Sequence, residues 1–395
     1  MSAESAQSFE ALERQAARIT RLFIDAGYEL VAPNFIQPAS LFLDRIGESI
    51  RARTYVFTDP SGEELCLRPD LTAPVCRLHV ERIAKGARNI AEMPARYCYN
   101  GPAFRMQEGK PDPMRPREFR QAGIEYFGGD AAAADAEVIS LTLAAVRAAG
   151  CSDFVLRLGH TGMFSALLTA LPMPERWRGR LKRAFWRPRA FARELRDLIG
   201  GPRNGEDALL TQIGALSGDG EITEQTVLDY LDRENIALIG QRRPSEIAAI
   251  LSERAADAKE RPLSPEVART IEAYLAVRGA LPAALYDIRE LGADVSRALA
   301  EPLDMLAGIH HAVKQAGVGE DRIAFAADFG RQIEYYTGFV FQIEIEVAGI
   351  AGNIAGGGRY DAMLRAISGG AVDTPAVGAA IHTERLLAAA GGARR

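Results

Sequence analysis

Residues 96–128 read RYCYNGPAFRMQEGKPDPMRPREFRQAGIEYFG, and the rest of the chain can be arranged around this stretch. Its alternation predicts two strands joined by a long polar loop from Met106 to Arg117. Successive side chains point to opposite faces of a strand. Gln121 and Glu125 therefore share one face of the second strand, and Arg105 shares one face of the first strand with Tyr97 and Tyr99. If the hairpin is central, these polar groups require a ligand, since buried charges without partners are costly. A hairpin with one face in solvent gives the same pattern.

The composition is that of an ordinary globular protein. The 395 residues are 48% apolar and 25% charged, which is enough for a large core and two structural units. The net charge of -5 argues against a general polyanion binder. The cysteines show neither metal-ligand spacing nor a secreted disulfide framework. We therefore expect reduced thiols in a cytoplasmic protein at Cys66, Cys76, Cys98 and Cys151.

No membrane role is expected from the hydropathy pattern. The chain has no uninterrupted apolar run of about 18 residues, the length that a membrane-spanning helix needs. The amino terminus also lacks a basic region followed by an apolar one, which a secretory signal would have.

Hydrophobic periodicity predicts an α+β protein with a helical insertion. Helices are predicted over 8–26, over 131–149 and ending near residue 84, and strands over 28–33, 54–58, 63–67, 154–158, 322–328 and 335–347. Residues 161–317 are almost wholly helical in pattern. We therefore predict 1–160 and 318–395 as two parts of one sheet domain, interrupted by a helical region over 161–317. The glycine run at 356–358 would allow close approach of a small ligand or a tight turn.

Segment 176–196 is rich in basic and aromatic side chains. Trp177 and Trp186 are interleaved with nine basic residues, which are Arg176, Arg178, Arg180, Lys182, Arg183, Arg187, Arg189, Arg193 and Arg196. Such a mixture occurs in nucleic-acid-binding surfaces. A solvated helix face or a surface for an acidic protein partner accounts for it equally well.

Five ordered stretches carry a resemblance to a known family. They are Leu67-Arg68-Pro69-Asp70-Leu71-Thr72-Ala73, Phe104-Arg105, Arg120-Gln121-Ala122-Gly123-Ile124-Glu125-Tyr126-Phe127-Gly128, Arg331-Gln332-Ile333-Glu334-Tyr335-Tyr336-Thr337-Gly338 and Gly356-Gly357-Gly358-Arg359-Tyr360-Asp361. Together they resemble the catalytic core of histidyl-tRNA synthetase, a class II aminoacyl-tRNA synthetase. The resemblance implies the class II fold, in which an antiparallel sheet is flanked by helices. It also implies that helix 8–26 and strand 28–33 build a dimer interface.

The resemblance implies a histidine pocket. A site for free histidine needs an anion for the ammonium, a cation for the carboxylate and a polar group for the imidazole. By resemblance, Asp70, Thr72 and Gln121 hold the amino group, and Arg331 pairs with the carboxylate. Glu125 addresses the imidazole with Tyr336, next to Tyr335, while Arg105 grips the carboxylate region and, in synthetases, an ATP phosphate. No metal, cofactor or catalytic residue is implied.

Three departures separate the chain from a working synthetase. The family has a glutamate two residues after Phe-Arg, whereas here Met106-Gln107 follows and Glu108 comes one place late. His382 and Thr383 stand where the third class motif has small residues beneath the ATP, so an imidazole should crowd the nucleotide. After Arg385 there is no room for an anticodon-binding domain, which we expect to be absent.

This combination resembles the regulatory subunit family of ATP phosphoribosyltransferase. The resemblance implies a non-catalytic protein that the short-form catalytic subunit needs for the first step of histidine biosynthesis, and that relays feedback inhibition by histidine. The implied partners are that catalytic subunit and L-histidine, with a homodimer inside a hetero-oligomer and with neither tRNA nor membrane.

Other functions remain open from the sequence. A histidyl-tRNA synthetase or a ligase that adenylates histidine would also keep Arg105 and Arg385, the two arginines that the class uses on ATP phosphates. An RNA-binding module using 176–196 would bind with an affinity that falls steeply with salt. The pocket could also serve only to stabilise the fold, with inhibition acting through the partner.

Overall fold

The computed structural model describes residues 6–43, 48–86, 94–107, 116–185, 187–200, 210–213, 215–216, 221–236, 243–258, 260–330, 335–347 and 350–392. The chain forms two compact units. The first consists of Met1–Leu167 and Tyr274–Arg395, and the second of Leu168–Ala273.

Strands and helices are numbered separately along the chain. The strands are β1 (Glu29–Leu30), β2 (Ile36–Pro38), β3 (Tyr55–Thr58), β4 (Glu64–Leu67), β5 (Ala95–Phe104), β6 (Glu118–Phe127), β7 (Val155–His160), β8 (Arg278–Ala280), β9 (Ile323–Ala326), β10 (Phe339–Val347), β11 (Ile350–Arg359) and β12 (Ala376–His382). The helices are α1 (Ala6–Asp25), α2 (Ser40–Leu43), α3 (Glu48–Arg51), α4 (Thr72–Ala84), α5 (Ala131–Ala148), α6 (Thr161–Ala170), α7 (Glu175–Ala184), α8 (Pro188–Gly200), α9 (Glu224–Arg233), α10 (Pro244–Ala258), α11 (Pro265–Ala276), α12 (Leu281–Arg289), α13 (Ala293–Ala298), α14 (Ala300–Gln315), α15 (Ala362–Ile367) and α16 (Thr383–Gly392). A 3₁₀ turn, Glu320–Arg322, precedes β9.

A nine-stranded sheet forms the centre of the first unit. The strand order is β1-β5-β6-β12-β11-β10-β7-β9-β8. Neighbouring strands are antiparallel except for the pairs β1/β5 and β7/β9. The central strands β5, β6, β12 and β11 therefore lie side by side, although they come from distant parts of the chain. The α+β class and the antiparallel core predicted from the sequence are confirmed.

Helix α1 illustrates how the sequence builds this unit. Its side chains Leu12, Ala16, Ile19 and Phe23 recur at steps of four, three and four residues, and all are buried. The helix stops before Gly27, whose φ of 90° suits a residue without a side chain. Helix α1 packs on α5, α16 and β5.

A second, three-stranded sheet has the order β2-β4-β3. Its turn is fixed by Asp59, whose carboxylate accepts hydrogen bonds from the backbone N–H groups of Ser61 and Glu63, at 2.9 Å each. The predicted pair of strands around this turn is confirmed.

The second unit is helical. Its helices α7 and α10 are joined through Asp257, which accepts hydrogen bonds from Arg176 (Nε to Oδ1, 2.7 Å), Trp177 and Arg180. Arg176 also pairs with Glu260 at 2.9 Å, and Arg180 pairs with Glu194 of α8 at 2.7 Å. Part of the basic segment 176–196 thus serves internal ion pairs. Arg178 pairs with Glu175 at 3.0 Å. The arginines at positions 183, 187, 189, 193 and 196 are exposed, and Trp186 lies outside the described residues.

The boundaries of the units differ from the predicted helical region over 161–317. Strand β8 and helix α12 pack with β9, and helix α14 packs on α5, so residues 278–315 belong to the sheet unit. Helical periodicity reveals that a helix has an apolar face but not which surface that face meets.

Smaller differences concern strand ends and the glycine run. The strand predicted over 28–33 is reduced to Glu29–Leu30, and the strand predicted over 335–347 begins at Phe339. The three glycines at 356–358 lie inside β11. A Cβ on Gly357 would come 2.3 Å from the carbonyl oxygen of Gly378 on β12, so close strand packing requires this glycine. Within the described ranges, no helix has the length and apolar character that crossing a membrane requires.

Candidate functional site

The strands β5, β6 and β12 form the floor of the candidate site. Gln121 of β6 stands opposite Gly101 of β5 and His382 of β12. Four residues further along β6, past Gly123, Glu125 stands opposite Tyr97 and Gly378. Residues opposite each other in neighbouring strands project from the same face. The polar row predicted on β6 therefore lies on one face of a central strand.

Glu125 is the most enclosed acid of this row. It is fully buried, and its carboxylate accepts hydrogen bonds from the hydroxyls of Tyr99, at 3.1 Å, and Tyr360. Burial raises the pKa of Glu125 to about 8, although hydrogen bonds from Tyr360, Thr72 and Tyr99 oppose the shift. A carboxyl group of this kind can hold a proton near neutral pH and share it with a polar ligand.

A second acid, Asp70, lies just before α4. It is buried, and its Oδ1 accepts the backbone N–H of Ala73 at 3.3 Å. Burial raises the pKa of Asp70, and the nearby Arg105 guanidinium is the strongest opposing influence. The preceding Arg68 fixes this segment, because its guanidinium donates to the carbonyl oxygens of Pro102 (2.8 Å) and Pro33.

The cation of the site is Arg105, at the end of β5. Its Nε donates to the carbonyl oxygen of Pro69 at 2.8 Å, and its guanidinium lies 5.0 Å from the ring centroid of Phe119. Burial lowers the pKa of Arg105, and the charge of Asp70 opposes the shift. A cation and an anion in this arrangement suit a zwitterionic ligand.

Two tyrosines join this group from the segment before β10. The rings of Tyr335 and Tyr336 are 4.6 Å apart, and the ring of Tyr335 lies 6.1 Å from that of Tyr360. Burial raises the pKa of both hydroxyls, and the charges of Asp70 and Glu125 add to the shift. Both hydroxyls are therefore neutral hydrogen-bonding groups at physiological pH.

The structure brings together all the predicted site residues that it describes, namely Asp70, Thr72, Arg105, Gln121, Glu125, Tyr335 and Tyr336. Arg331 lies outside the described residues. No cluster of three or more His, Cys, Asp or Glu side chains in the described part of the chain is arranged to hold a metal ion.

Sequence reasoning did not assign Tyr99, Tyr360 and Arg68 to the site. Tyr99 carried a weak signal, because it shares its strand face with Tyr97 and Arg105. Tyr360 belongs to the stretch 356–361 that carries the family resemblance, but its approach to Glu125 depends on how β11 and β12 are arranged. The neighbouring Arg359 is a structural residue: its guanidinium pairs with the buried Asp135 and donates to the carbonyl oxygen of Ala131 at 2.9 Å.

Comparison with known proteins gives the relationship of this chain. The sequence profile described as histidyl-tRNA synthetase matches residues 4–258 and 236–386. An ATP phosphoribosyltransferase regulatory subunit from Mesorhizobium japonicum is 34% identical over 94% of this chain and 96% of its own length. One from Brucella anthropi is 35% identical over 91% of this chain and 92% of its own. This chain belongs to the ATP phosphoribosyltransferase regulatory subunit family.

Solved structures agree with this family at the level of the fold. A Bacillus halodurans protein titled ATP phosphoribosyltransferase regulatory subunit/histidyl-tRNA synthetase matches with a TM-score of 0.66 and 21% identity, over 98% of this chain and 81% of that one. The apo histidyl-tRNA synthetase of S. aureus matches with a TM-score of 0.56 and 17% identity, over all of this chain and 73% of the synthetase. The regulatory subunit family and the class II synthetase fold, both predicted from the sequence, are confirmed.

Proposed function

We propose that this chain is the non-catalytic regulatory subunit of an ATP phosphoribosyltransferase and that it binds free L-histidine on the polar face of β6. The observation that carries the histidine site is the buried Glu125, which lies on the same face of β6 as Gln121, while Arg105 follows the end of the neighbouring β5. The carboxyl group of Glu125 accepts hydrogen bonds from two tyrosine hydroxyls, and burial raises its pKa to about 8, so it can share a proton with a ring nitrogen of a ligand.

The proposed binding mode follows the order of charges along the row. The imidazole lies at Glu125 and Tyr336, where a carboxyl group of raised pKa can share a proton with a ring nitrogen. The ammonium lies at Asp70, Thr72 and Gln121. The carboxylate lies towards Arg105, and Arg331 remains a predicted second cation for it.

Regulation is proposed to act through the partner subunit. Histidine would favour an arrangement of the complex in which the short-form catalytic subunit is less active. A coupling free energy of about 1–3 kcal/mol is enough for a 5- to 150-fold effect. The complex is proposed to act in the cytoplasm, without tRNA.

A homodimer within the hetero-oligomer is part of the proposal. Strand β1 is an edge strand of the large sheet, and its Leu30 is 52% exposed. Phe9 on α1 is also 52% exposed. An edge strand with exposed apolar side chains is suited to pairing with a second chain.

A second candidate function is adenylation of histidine, which the presence of Arg385 favours. In this structure its guanidinium donates to the side-chain and backbone oxygens of Asn353, at 2.7 and 2.9 Å. Histidine-dependent exchange of pyrophosphate into ATP distinguishes the two functions. Exchange by the purified chain would support the ligase, and binding of histidine without exchange would support the regulatory subunit.

The decisive experiment adds the short-form catalytic subunit to the purified chain. We expect activation of phosphoribosyl transfer, inhibition of the complex by L-histidine, and calorimetric binding of L-histidine to this chain alone. Glu125→Gln should remove histidine binding and inhibition but keep activation. The matched control is Glu346→Gln, because Glu346 is an exposed carboxylate on β10 of the same sheet. Inhibition that persists in Glu125→Gln would show that this pocket is not the sensor.

A further inference from the structure

Two buried polar atoms of the site have no hydrogen-bond partner among the described residues. They are Oε1 of Gln121 and Nδ1 of His382. Gln121 is only 3% exposed. Buried polar groups in folded proteins are nearly always hydrogen-bonded, so each unpaired one needs an explanation. A ligand that supplies both missing partners is one such explanation.

The two residues are placed to act together. Gln121 and His382 stand directly opposite each other on β6 and β12, so their side chains leave the sheet on the same face, with Cβ atoms about 5 Å apart. The backbone around them is fixed. The N–H of Arg120 donates to Glu384 at 2.6 Å, and the hydroxyl of Thr383 donates to the carbonyl oxygen of Arg120 at 3.3 Å.

The surroundings of His382 favour an anionic ligand group. Its ring packs 5.2 Å from the ring of Phe119. Burial lowers the pKa of His382 well below the usual range, and the nearby cations Arg385 and Arg105 lower it further. The imidazole is therefore neutral and carries one N–H, in a region of positive potential. Gln121, by contrast, presents a carbonyl oxygen that can only accept.

We propose that Gln121 and His382 form a subsite for the head group of an α-amino acid. Oε1 of Gln121 accepts a hydrogen bond from the ammonium, and Nδ1–H of neutral His382 donates one to the carboxylate. The ammonium and the carboxylate of an α-amino acid are attached to the same carbon atom. They can therefore reach two neighbouring side chains, Gln121 and His382, on adjacent strands. This inference rests on the proposed histidine site and adds His382 as the residue that selects for a free carboxylate.

The test compares two ligands that differ at the carboxylate. L-Histidine and L-histidinol share the ammonium and imidazole, but histidinol carries a hydroxymethyl group in place of the carboxylate. Calorimetry would give both dissociation constants for the wild type, His382→Ala and His382→Asn. We expect His382→Ala to weaken L-histidine binding about tenfold and to leave histidinol binding nearly unchanged. Asparagine should restore most of the preference, because its amide N–H can replace Nδ1–H.

A matched control is His311→Ala, since His311 is an exposed histidine on α14. It should leave both dissociation constants unchanged. If His382→Ala lowers the affinity for both ligands equally, or for neither, the subsite is wrong while the histidine site stands. If the wild type binds neither ligand, the proposed function itself fails, and this inference fails with it.

A measurement on the wild-type protein tests the proposal without relying on variants that could unfold. Nitrogen NMR of the His382 ring reports the protonation of Nδ1 and its hydrogen bonding. We expect the Nδ1 signal to shift on saturation with L-histidine and not with L-histidinol. The same response to both ligands would overturn the proposal.

Discussion

A Cβ atom on Gly378 would lie 1.7 Å from Oε2 of Glu125, its partner on the neighbouring strand. The carboxylate therefore occupies space that only a glycine leaves open. The same holds on the other side of β6, where a Cβ on Gly123 would lie 2.5 Å from the hydroxyl of Tyr99. Backbone crowds the same positions, since the carbonyl oxygen of Ile124 would lie 2.8 Å from a Cβ on Gly378 and that of Ala379 would lie 2.5 Å from a Cβ on Gly123. These glycines are required by close packing, since neither has a positive φ.

Gly378→Ala is predicted to remove histidine binding. The new methyl group must displace the Glu125 carboxylate from its tyrosine donors, which should also lower the free energy of unfolding by about 1–3 kcal/mol. Calorimetry with L-histidine and urea denaturation measure the two effects. The control is Gly308→Ala in the middle of α14, where a Cβ meets nothing within 4 Å. That change should stabilise the chain by up to about 1 kcal/mol. Undiminished histidine binding by Gly378→Ala would contradict this account of the pocket.

The raised pKa of Glu125 predicts a pH dependence of stability. Between its ordinary value of 4.5 and about 8, the folded chain keeps a proton on Glu125 that the unfolded chain has lost. Since the folded state binds more protons in this window, the free energy of unfolding falls as the pH rises from about 4.5 to about 8. The groups facing Glu125 are Tyr360, Thr72, Tyr99, Asp70, Cys76, Tyr335 and Tyr336.

Urea denaturation at several pH values tests this prediction. Glu125→Gln cannot titrate, so its free energy of unfolding should fall less with rising pH than that of the wild type. Glu346→Gln, which changes an exposed carboxylate, should keep the wild-type slope. Parallel curves for the wild type and Glu125→Gln would rule out a raised pKa at this carboxyl group.

The sequence predicts the elements of the sheet better than their arrangement. Helix α1 and the β5–β6 hairpin follow from short-range periodicity. The polar row is visible because Gln121 and Glu125 interrupt a strand face that otherwise carries Phe119, Gly123 and Phe127. The hydrogen-bond partner of Glu125, by contrast, cannot be predicted from a local pattern. Tyr360 is 235 positions away, and its hydroxyl reaches the carboxylate only because β12 pairs with β6 and β11 pairs with β12. Pairing between strands so distant in sequence leaves no local pattern.

Breaking the ion pair between Arg359 and Asp135 is predicted to destabilise the fold strongly. The two side chains are 5% and 0% exposed. Asp135→Asn removes the buried carboxylate of this pair and leaves the guanidinium with the half-exposed Asp361 at 2.9 Å, so the free energy of unfolding should fall by about 1–3 kcal/mol. Urea denaturation gives the change in free energy of unfolding. The matched control is Asp373→Asn, which removes the partner of Arg365 in a pair whose side chains are 67% and 69% exposed. This control should lower the free energy of unfolding by less than about 1 kcal/mol. A similar decrease for both variants would refute the prediction.

Asp257→Asn is predicted to loosen the helical unit Leu168–Ala273. The carboxylate accepts from Arg176 and Arg180 of α7 and from the indole N–H of Trp177, and it is only 16% exposed. An amide keeps one acceptor oxygen and places an NH₂ group against arginine donors. The free energy of unfolding should therefore fall by about 1–3 kcal/mol. Trp177 is buried against this group, and its fluorescence reports the loss during urea denaturation. Asp232→Asn, at an exposed position of α9 in the same unit, is the control and should leave the curve unchanged. Because Arg176 and Arg180 both pair with Asp257, a loss of stability in Asp257→Asn would also show that these two arginines of segment 176–196 stabilise the fold. An unchanged denaturation curve for Asp257→Asn would argue against this stabilising role.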